Sequence, residues 1–482
     1  MKKISVCYVV LCLTLCLIPF VGMAVARTDT TTENKTLASL PEFVDGRKIN
    51  MQYLSELGEY FTDHFAFRQN LVAADSLMSS RIFGISSVDT VLVGADGWLY
   101  YTDTLDDYLG RNLLSERGIF NAANNLRQMQ DYVRSMGSSF LLTVAPNKNS
   151  LYGEHMPYYE QYKVSSESNI ARLAVWLERL DVSYLDLFEM FEEQEEVLYF
   201  KRDSHWNNQG ARMVYNGMMD QLGLPHDSYA NVSSEQREDY IGDLNSMIYP
   251  LNAVPEKNIY YDMARNYEYV TPTQSVEEAW IQTVNQQAEG SLFMYRDSFG
   301  NSLLPFAANA FGTAWFSKMV PYNLQMHLEQ YRPETVIVEK VERNLDEFAF
   351  QPPILQGMQA ELSAELEVNR MEAVTKTTLE VSETEANRMY WQFAGKLDPS
   401  VVGEDTRVYI CLTNNFGKTV YEAFTVSTEE SDNGYVLYLK KENLAQAPVT
   451  VEIFVENGGS YTGVYRQDVD ISEIPAADLE DS

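Results

Sequence analysis

Cysteine is nearly absent from this sequence, histidine is rare, and basic charge is far outweighed by acidic charge. The 482 residues include 4 cysteines, and Cys7, Cys12 and Cys16 all fall in one apolar run near the amino terminus. Cys411 is left alone, so the rest of the chain can form no internal disulfide and no CxxC zinc cluster. Lys and Arg number 36 against 69 Asp and Glu, a net charge of −33. That excludes the basic footprint of a nucleic-acid binder. It also disfavours adsorption to anionic headgroups, so membrane contact is expected only through apolar sequence. Hydrophobic residues at 45% and charged residues at 22% exclude disorder as the main state. The length suggests about three domains.

What is present begins with Lys2 and Lys3, followed by an apolar run over residues 4–26. As a helix that run would span about 34 Å at ~1.5 Å per residue, enough for a bilayer core of about 30 Å. The two lysines are expected to stay in the cytoplasm, which sends the rest of the chain outside. Ala24-Val25-Ala26 also fits the cleavage pattern of a secretory signal. Residues 1–26 are therefore read as a signal peptide or a membrane anchor, and the working part as extracytoplasmic. Residues 27–50 read as a polar linker.

From 51 to 351 helical and strand-like segments alternate. Ser115 is placed to cap a helix carrying Ile119, Ala123, Leu126, Met129, Val133 and Met136 at three-to-four spacing, stopped by Gly137. Ser139–Ala145, Val182–Leu185, Ser291–Arg296, Ala314–Ser317 and Thr335–Lys340 read as strands. Ser166–Leu180 and Phe299–Phe311 read as helices. This alternation predicts an α/β fold, a mainly parallel sheet with helices on both faces. Residues 352–475 change texture, to short β-rich runs broken by turn signals such as Asn414-Asn415, Asp432-Asn433-Gly434 and Asn457-Gly458-Gly459. They predict an antiparallel β-sandwich. Residues 476–482 read as a mobile acidic tail.

The five histidines, His64, His155, His205, His226 and His327, narrow the choice of an imidazole base. His205 stands out because Asp203 precedes it by two positions in Asp203-Ser204-His205-Trp206. On an extended segment such residues point the same way about 7 Å apart. A carboxylate so placed fixes the ring tautomer and stabilises the imidazolium formed in acyl transfer. The plainer reading makes Asp203 the cap of a helix starting near Asn207, with His205 packed on Trp206. A nucleophile is offered by Arg296-Asp297-Ser298-Phe299-Gly300, a strand-to-helix turn whose serine faces the carboxyl edge of the sheet beside helix-start N–H groups. The plainer reading there is an N-cap. Asn147 and Lys148, after the strand ending at Ala145, lie where open α/β sheets bind ligands and are weaker candidates to hold developing negative charge. A metal site on Asp203 and His205 lacks a third ligand at suitable spacing. No metal and no cofactor is expected.

Several blocks in fixed order resemble the DHHW-type, SGNH-hydrolase-like family related to alginate O-acetyltransferases. They include Gly94-Ala95-Asp96-Gly97-Trp98-Leu99-Tyr100, Pro146-Asn147-Lys148, Asp203-Ser204-His205-Trp206, Gly242-Asp243-Leu244 and Asp297-Ser298-Phe299. Ser204 stands where the family's name has its first histidine. The resemblance covers roughly residues 35–350. It implies a Ser-His-Asp triad of Ser298, His205 and Asp203; the N–H groups of Ser298 and Phe299, aided by Lys148, are the expected oxyanion donors. It also implies a polysaccharide or oligosaccharide acceptor, a membrane-bound O-acyltransferase partner, and a C-terminal carbohydrate-binding module in which Tyr390, Trp391 and Tyr409 are candidates to stack on sugars. The expected activity is carbohydrate O-acetyl transfer through an acetyl-serine. An acetyl esterase with the same triad and a non-catalytic glycan-binding surface protein are the rivals.

Overall fold

The computed structural model describes residues 38–45, 48–361, 376–383, 388–414, 417–444 and 448–471, with a few helical positions between residues 6 and 22. Most of the run read as signal peptide or anchor, and all of the tail 476–482, lie outside the described residues. Among the described residues no helix is long and apolar enough to cross a membrane. The chain forms two compact units, one of residues 1–102, 201–204 and 238–257, the other of residues 103–200, 205–237 and 258–482.

In the first unit, strands Val91–Val93 and Leu99–Tyr101 pair antiparallel. Val91, Leu99, Leu244 and Ile248 form a small core with them. The Leu99 N–H donates to the Lys201 carbonyl at 3.0 Å.

The second unit is built on seven strands: β1 (Ser139–Ala145), β2 (Tyr184–Leu185), β3 (Glu268–Tyr269), β4 (Trp280–Val284), β5 (Ser291–Tyr295), β6 (Thr313–Ser317) and β7 (Thr335–Val341). Their order is β2-β1-β7-β5-β6-β4-β3. The β2-β1-β7-β5-β6 ladder is parallel throughout, and β4 and β3 add an antiparallel edge. The pleat points alternate residues of the central strands into two cores, one on each face, so these strands are mostly apolar. Phe140, Leu142 and Val144 face one core, together with helices α1 (Glu116–Ser135), α2 (Asn169–Arg179) and, further along the chain, Leu324–Tyr331. Leu141 and Ala145 face the other, with α3 (Asn208–Gln221) and α4 (Leu304–Ala310). Ser115 caps α1 by accepting the Gly118 N–H at 2.9 Å, and Gly137 breaks the chain away at φ 84°. The predicted helix 299–311 is interrupted: a 3-10 turn, Phe299–Asn301, precedes α4, with Pro305 in the first turn of α4.

A second seven-stranded sheet, wholly antiparallel, follows: β8 (Glu380–Glu383), β9 (Tyr390–Lys396), β10 (Arg407–Asn414), β11 (Gly417–Thr428), β12 (Ser431–Lys440), β13 (Pro448–Asn457) and β14 (Ser460–Asp470). Its order is β8-β9-β12-β11-β10-β13-β14. The sandwich predicted from sequence is reached within one curled sheet. β11 pairs through Gly417–Ala423 with β10 and through Phe424–Thr428 with β12, and both halves bury their apolar faces in a shared core. Asp432-Asn433-Gly434, read as a turn, lies inside β12, because the hairpin turns two residues earlier at Glu429-Glu430.

This sheet joins α1 through polar side chains. Arg117 donates to the Thr406 carbonyl at 2.6 Å, and Asn121 to the Asp432 carbonyl at 3.1 Å. Asn125 accepts the Thr425 N–H at 3.2 Å and donates to the Thr425 carbonyl at 2.9 Å. Gln128 donates to the Ala423 carbonyl at 3.2 Å. These positions recur at helical spacing, so one polar stripe of α1 completes the hydrogen bonding of β11 where that strand leaves β10.

Candidate active site

Ser298 follows β5 at the carboxyl edge of the parallel sheet. It heads the 3-10 turn with helical backbone angles, φ −72° and ψ −24°, and its side chain makes no capping bond. The hydroxyl instead lies 2.8 Å from His205 Nε2. The plain N-cap reading therefore fails for Ser298. His205 is not on a straight strand as the i, i+2 argument supposed. It ends a tight loop closed by the Phe200 N–H donating to the His205 carbonyl at 3.2 Å and by a bridge between Tyr199 and Trp206. The imidazole leans on the Phe299 ring, centroids 4.7 Å apart. Trp206, buried, anchors the next position by donating to Ser302 Oγ at 2.6 Å. The helix after it is capped by Asn207, which accepts from the Gln209 and Gly210 N–H groups, so Asp203 is not that cap.

Asp297 braces the nucleophile turn. Its Oδ1 accepts the Phe299 N–H at 2.8 Å, and its Oδ2 accepts the Val341 N–H at 2.7 Å. Its own N–H donates to Glu339 Oε2 at 3.1 Å. The Phe299 N–H is thus engaged by a carboxylate and is not the oxyanion donor expected from sequence. The Ser298 N–H, which donates to no group among the described residues, remains for that task. Arg296 is buried and turned aside, donating to the Val276 and Glu278 carbonyls at 2.8 and 3.1 Å. Glu277 is exposed. Partial burial pushes its carboxyl up, but bonds from Lys318 and Asn301 outweigh this and hold it below the ordinary value, with a smaller contribution from His205.

Lys148 and Asn147 are buried. The Lys148 ammonium donates to the Phe200 carbonyl at 3.3 Å, beside the loop that carries His205. Asn147 points elsewhere: its amide donates to Asp107 at 2.9 Å and its N–H to Glu342 at 2.8 Å. Glu342, also bonded by Ser150 at 2.6 Å, is pushed up to about 7 by burial. Within the first unit, Asp203 is buried and accepts the Tyr240 hydroxyl at 2.8 Å and the Asp243 N–H at 2.9 Å. Asp243 in turn accepts the Ser204 N–H and hydroxyl at 2.9 and 2.5 Å. Gly242 permits this approach, since a Cβ there would meet the Arg202 carbonyl oxygen at 2.3 Å.

Other expectations are corrected. Tyr390, Trp391 and Tyr409 are 0%, 5% and 6% exposed. Their strand positions turn them inward, where Tyr390 bonds Gln325 at 2.8 Å and Tyr409 packs on Tyr461, so none presents a face to a sugar. His327 is buried against Phe293 and bonded to the Tyr295 hydroxyl at 2.8 Å, and burial lowers its pKa to about 4. Asp297 and Glu339 were missed as site residues. An acid inside the apolar run Thr335–Val341 was the available signal for Glu339.

Residues 91–294 match the family described as SGNH hydrolase-like domain, acetyltransferase AlgX. The match takes in Asp203 and His205 and stops short of Ser298. It bears out the resemblance read from the sequence, and with the sheet described above it establishes an SGNH-like domain followed by a C-terminal antiparallel sheet. No curated protein matches the chain. Among solved structures, a DHHW family protein from Eubacterium siraeum shares 17% identity, covering 54% of this chain and 93% of its own, with a TM-score of 0.42. Bacillus cereus PatB1 gives 17%, 54%, 98% and 0.43. The O-acetyltransferase domain of Pseudomonas putida AlgJ gives 14%, 53%, 92% and 0.36.

Proposed function

We propose that this chain, whose residues 91–294 carry an SGNH hydrolase-like domain of the AlgX acetyltransferase type, is an extracytoplasmic carbohydrate O-acetyltransferase working through an acetyl-serine. The observation that carries the reading is the 2.8 Å contact between Ser298 Oγ and His205 Nε2. Hydrogen-bond reach between nucleophile and base is the first requirement of such chemistry.

In the first half-reaction Ser298 Oγ attacks the acetyl carbonyl of the donor while His205 Nε2 takes the hydroxyl proton. For Nε2 to accept it, the ring must carry its resting proton on Nδ1. Asp203 is assigned the orienting role on the resemblance of its Asp203-Ser204-His205-Trp206 block to the DHHW-type family. The oxyanion forms toward the Ser298 N–H. Collapse breaks the bond to the donor oxygen, which leaves with the proton from His205, and acetyl-Ser298 remains. In the second half a sugar hydroxyl gives its proton to His205 and attacks the acetyl carbon; the bond to Ser298 Oγ breaks, and that oxygen leaves with the proton from His205, restoring serine and neutral imidazole. The acetyl donor on the outer face is assigned to a membrane-bound O-acyltransferase partner, and the acceptor to a cell-surface or exported polysaccharide.

An aryl acetate and a serine-directed phosphonate test the chemistry. The wild-type chain is expected to turn over the first and to be labelled at Ser298 by the second. Unchanged labelling and turnover by Ser298→Ala would remove the proposed nucleophile. Supplying an oligosaccharide and weighing acetylated product against free acetate separates transfer from hydrolysis.

A further inference from the structure

Glu339 sits in the middle of the parallel sheet, on β7, and is 0% exposed. One carboxyl oxygen, Oε2, accepts the Asp297 N–H at 3.1 Å. The other, Oε1, is buried and meets no donor among the described residues. A fully ionised carboxylate in that position would leave one oxygen uncompensated in a low-dielectric interior, at a cost proteins avoid by keeping the proton. A proton has an acceptor at hand, since the Glu339 carboxyl lies within hydrogen-bonding reach of the Asp297 side chain. The Asp297 side chain receives two backbone N–H groups, from Phe299 and Val341, whereas Glu339 Oε1 receives none among the described residues.

The other titratable and charged groups facing Glu339 are few. Arg296, on the same turn, donates to the Asp297 carbonyl at 3.3 Å, to Asn301 and to the Val276 and Glu278 carbonyls, and its charge draws the Glu339 carboxyl down by less than burial pushes it up. The Tyr199 and Tyr322 phenols are both buried near it. Burial, and after it the charge of Asp297, push the Glu339 carboxyl well above the ordinary carboxylate range. The chain also makes room for this carboxyl. A Cβ at Gly300 would lie 2.9 Å from Glu339 Oε2 and 2.6 Å from Arg296 Cβ, so glycine at that position lets the turn close over the acid.

We propose that Glu339 is a positioning residue for Ser298: held as a neutral acid, it donates its proton to Asp297 and accepts the Asp297 N–H, and Asp297 so braced fixes the Phe299 N–H and the turn that aims the Ser298 hydroxyl at His205. Loss of the proton sets a buried carboxylate against the half-buried Asp297. The turn then relaxes and the hydroxyl leaves the line of the ring. Misplacement on that scale costs about 10- to 100-fold in rate. The proposal rests on the acyl-transfer reading only through the activity it predicts; the protonation of Glu339 is measured separately.

The experiment compares the full wild-type chain with Glu339→Gln and Glu339→Ala. Aryl acetate kinetics, phosphonate labelling and thermal unfolding are followed from pH 5 to 9. Glutamine mimics the neutral acid, since it both donates and accepts. E339Q is expected to keep wild-type kcat within about three-fold at pH 6, and to hold that activity at high pH where wild type declines. E339A is expected to lose about 10- to 100-fold in kcat and labelling rate, with KM little changed. A folded-state carboxyl raised above its unfolded value contributes stability fully present below the unfolded pKa and lost as pH rises through the folded one. Wild-type Tm should therefore fall across this range, and the fall should be smaller in E339Q. The proposal is overturned if E339Q matches E339A in activity, or if its Tm profile has the wild-type slope. Should E339A fail to fold, wild type and E339Q carry the comparison. If wild type itself is neither active nor labelled, the acyl-transfer reading fails, and the Tm profiles still decide whether Glu339 holds a proton.

Discussion

The turn after β5 and the C-terminal sheet treat polar groups in opposite ways. Around Ser298, the half-buried Asp297 carboxyl and the buried Glu339 carboxyl are bonded to backbone N–H groups, and one hydroxyl is left facing an imidazole. In the C-terminal sheet Tyr390, Trp391 and Tyr409 are packed inward, and the buried polar side chains of β11, Thr425 and Ser427, lie where α1 bonds to that strand. One region keeps a reactive group partly exposed and stiffens everything beneath it. The other uses its polarity for attachment. The comparison teaches that an aromatic residue on a strand carries little information about ligands until the facing of its position is known, whereas an acid inside an apolar strand carries a good deal.

The sharpest way to break the contrast is at the sheet edge. His205→Ala should lower kcat for an aryl acetate by about 10⁴-fold, and adding Ser298→Ala should cost little more, because the pair acts as a unit. Kinetics on both variants check this, with circular dichroism showing the fold kept. Independent, multiplying losses would mean that the two side chains do not work together.

In the C-terminal sheet the largest effect is expected on stability alone. Trp391→Ala removes a ring that is 5% exposed and should destabilise by about 3–5 kcal/mol. Retention of the folded variant on a polysaccharide column should be unchanged; a loss of retention without unfolding would restore Trp391 as a sugar contact.

Glu342 sharpens the comparison through pH. Its carboxyl is raised to about 7, chiefly by burial and then by Asp107, against the bonds from Ser150 and Asn147. Its contribution to stability is therefore complete below its unfolded value and lost as pH rises through about 7. Glu342→Gln should flatten that part of the Tm profile, while substitutions in the C-terminal core should shift the whole profile evenly.

The smallest change concerns the attachment. Asn125→Ala strands the Thr425 N–H and carbonyl and should cost about 1–3 kcal/mol by denaturant melting. Turnover of a small aryl ester by the folded fraction should stay as it was.

Much of the sheet was legible because its strands are short apolar runs with a two-residue pleat, and α1 because its apolar spacing, Ser115 cap and Gly137 stop all agree. β14 went unread, since Ser460–Asp470 is too polar and too evenly mixed to stand out. Asp432-Asn433-Gly434 has turn composition, but a strand tolerates it where the hairpin closes earlier. At the site, the spacing of Asp203 and His205 and the serine after β5 were visible in sequence. That Ser298 meets His205 across 93 positions is a product of topology. No local pattern could show that the Phe299 N–H is already taken by Asp297, or that Glu339 lies beneath the turn, because both depend on strands brought together from distant segments.

The polar stripe of α1 has a dynamic consequence. The Thr425 amide is shielded by a side chain from a helix whose apolar face also backs the parallel sheet. For deuterium to reach that amide, the helix must lift or the β11 strand must peel away from it. Isotope uptake at Thr425 should then be as slow as in the centre of β1, and the C-terminal sheet should open together with the sheet that bears Ser298, rather than as a freely swinging appendage.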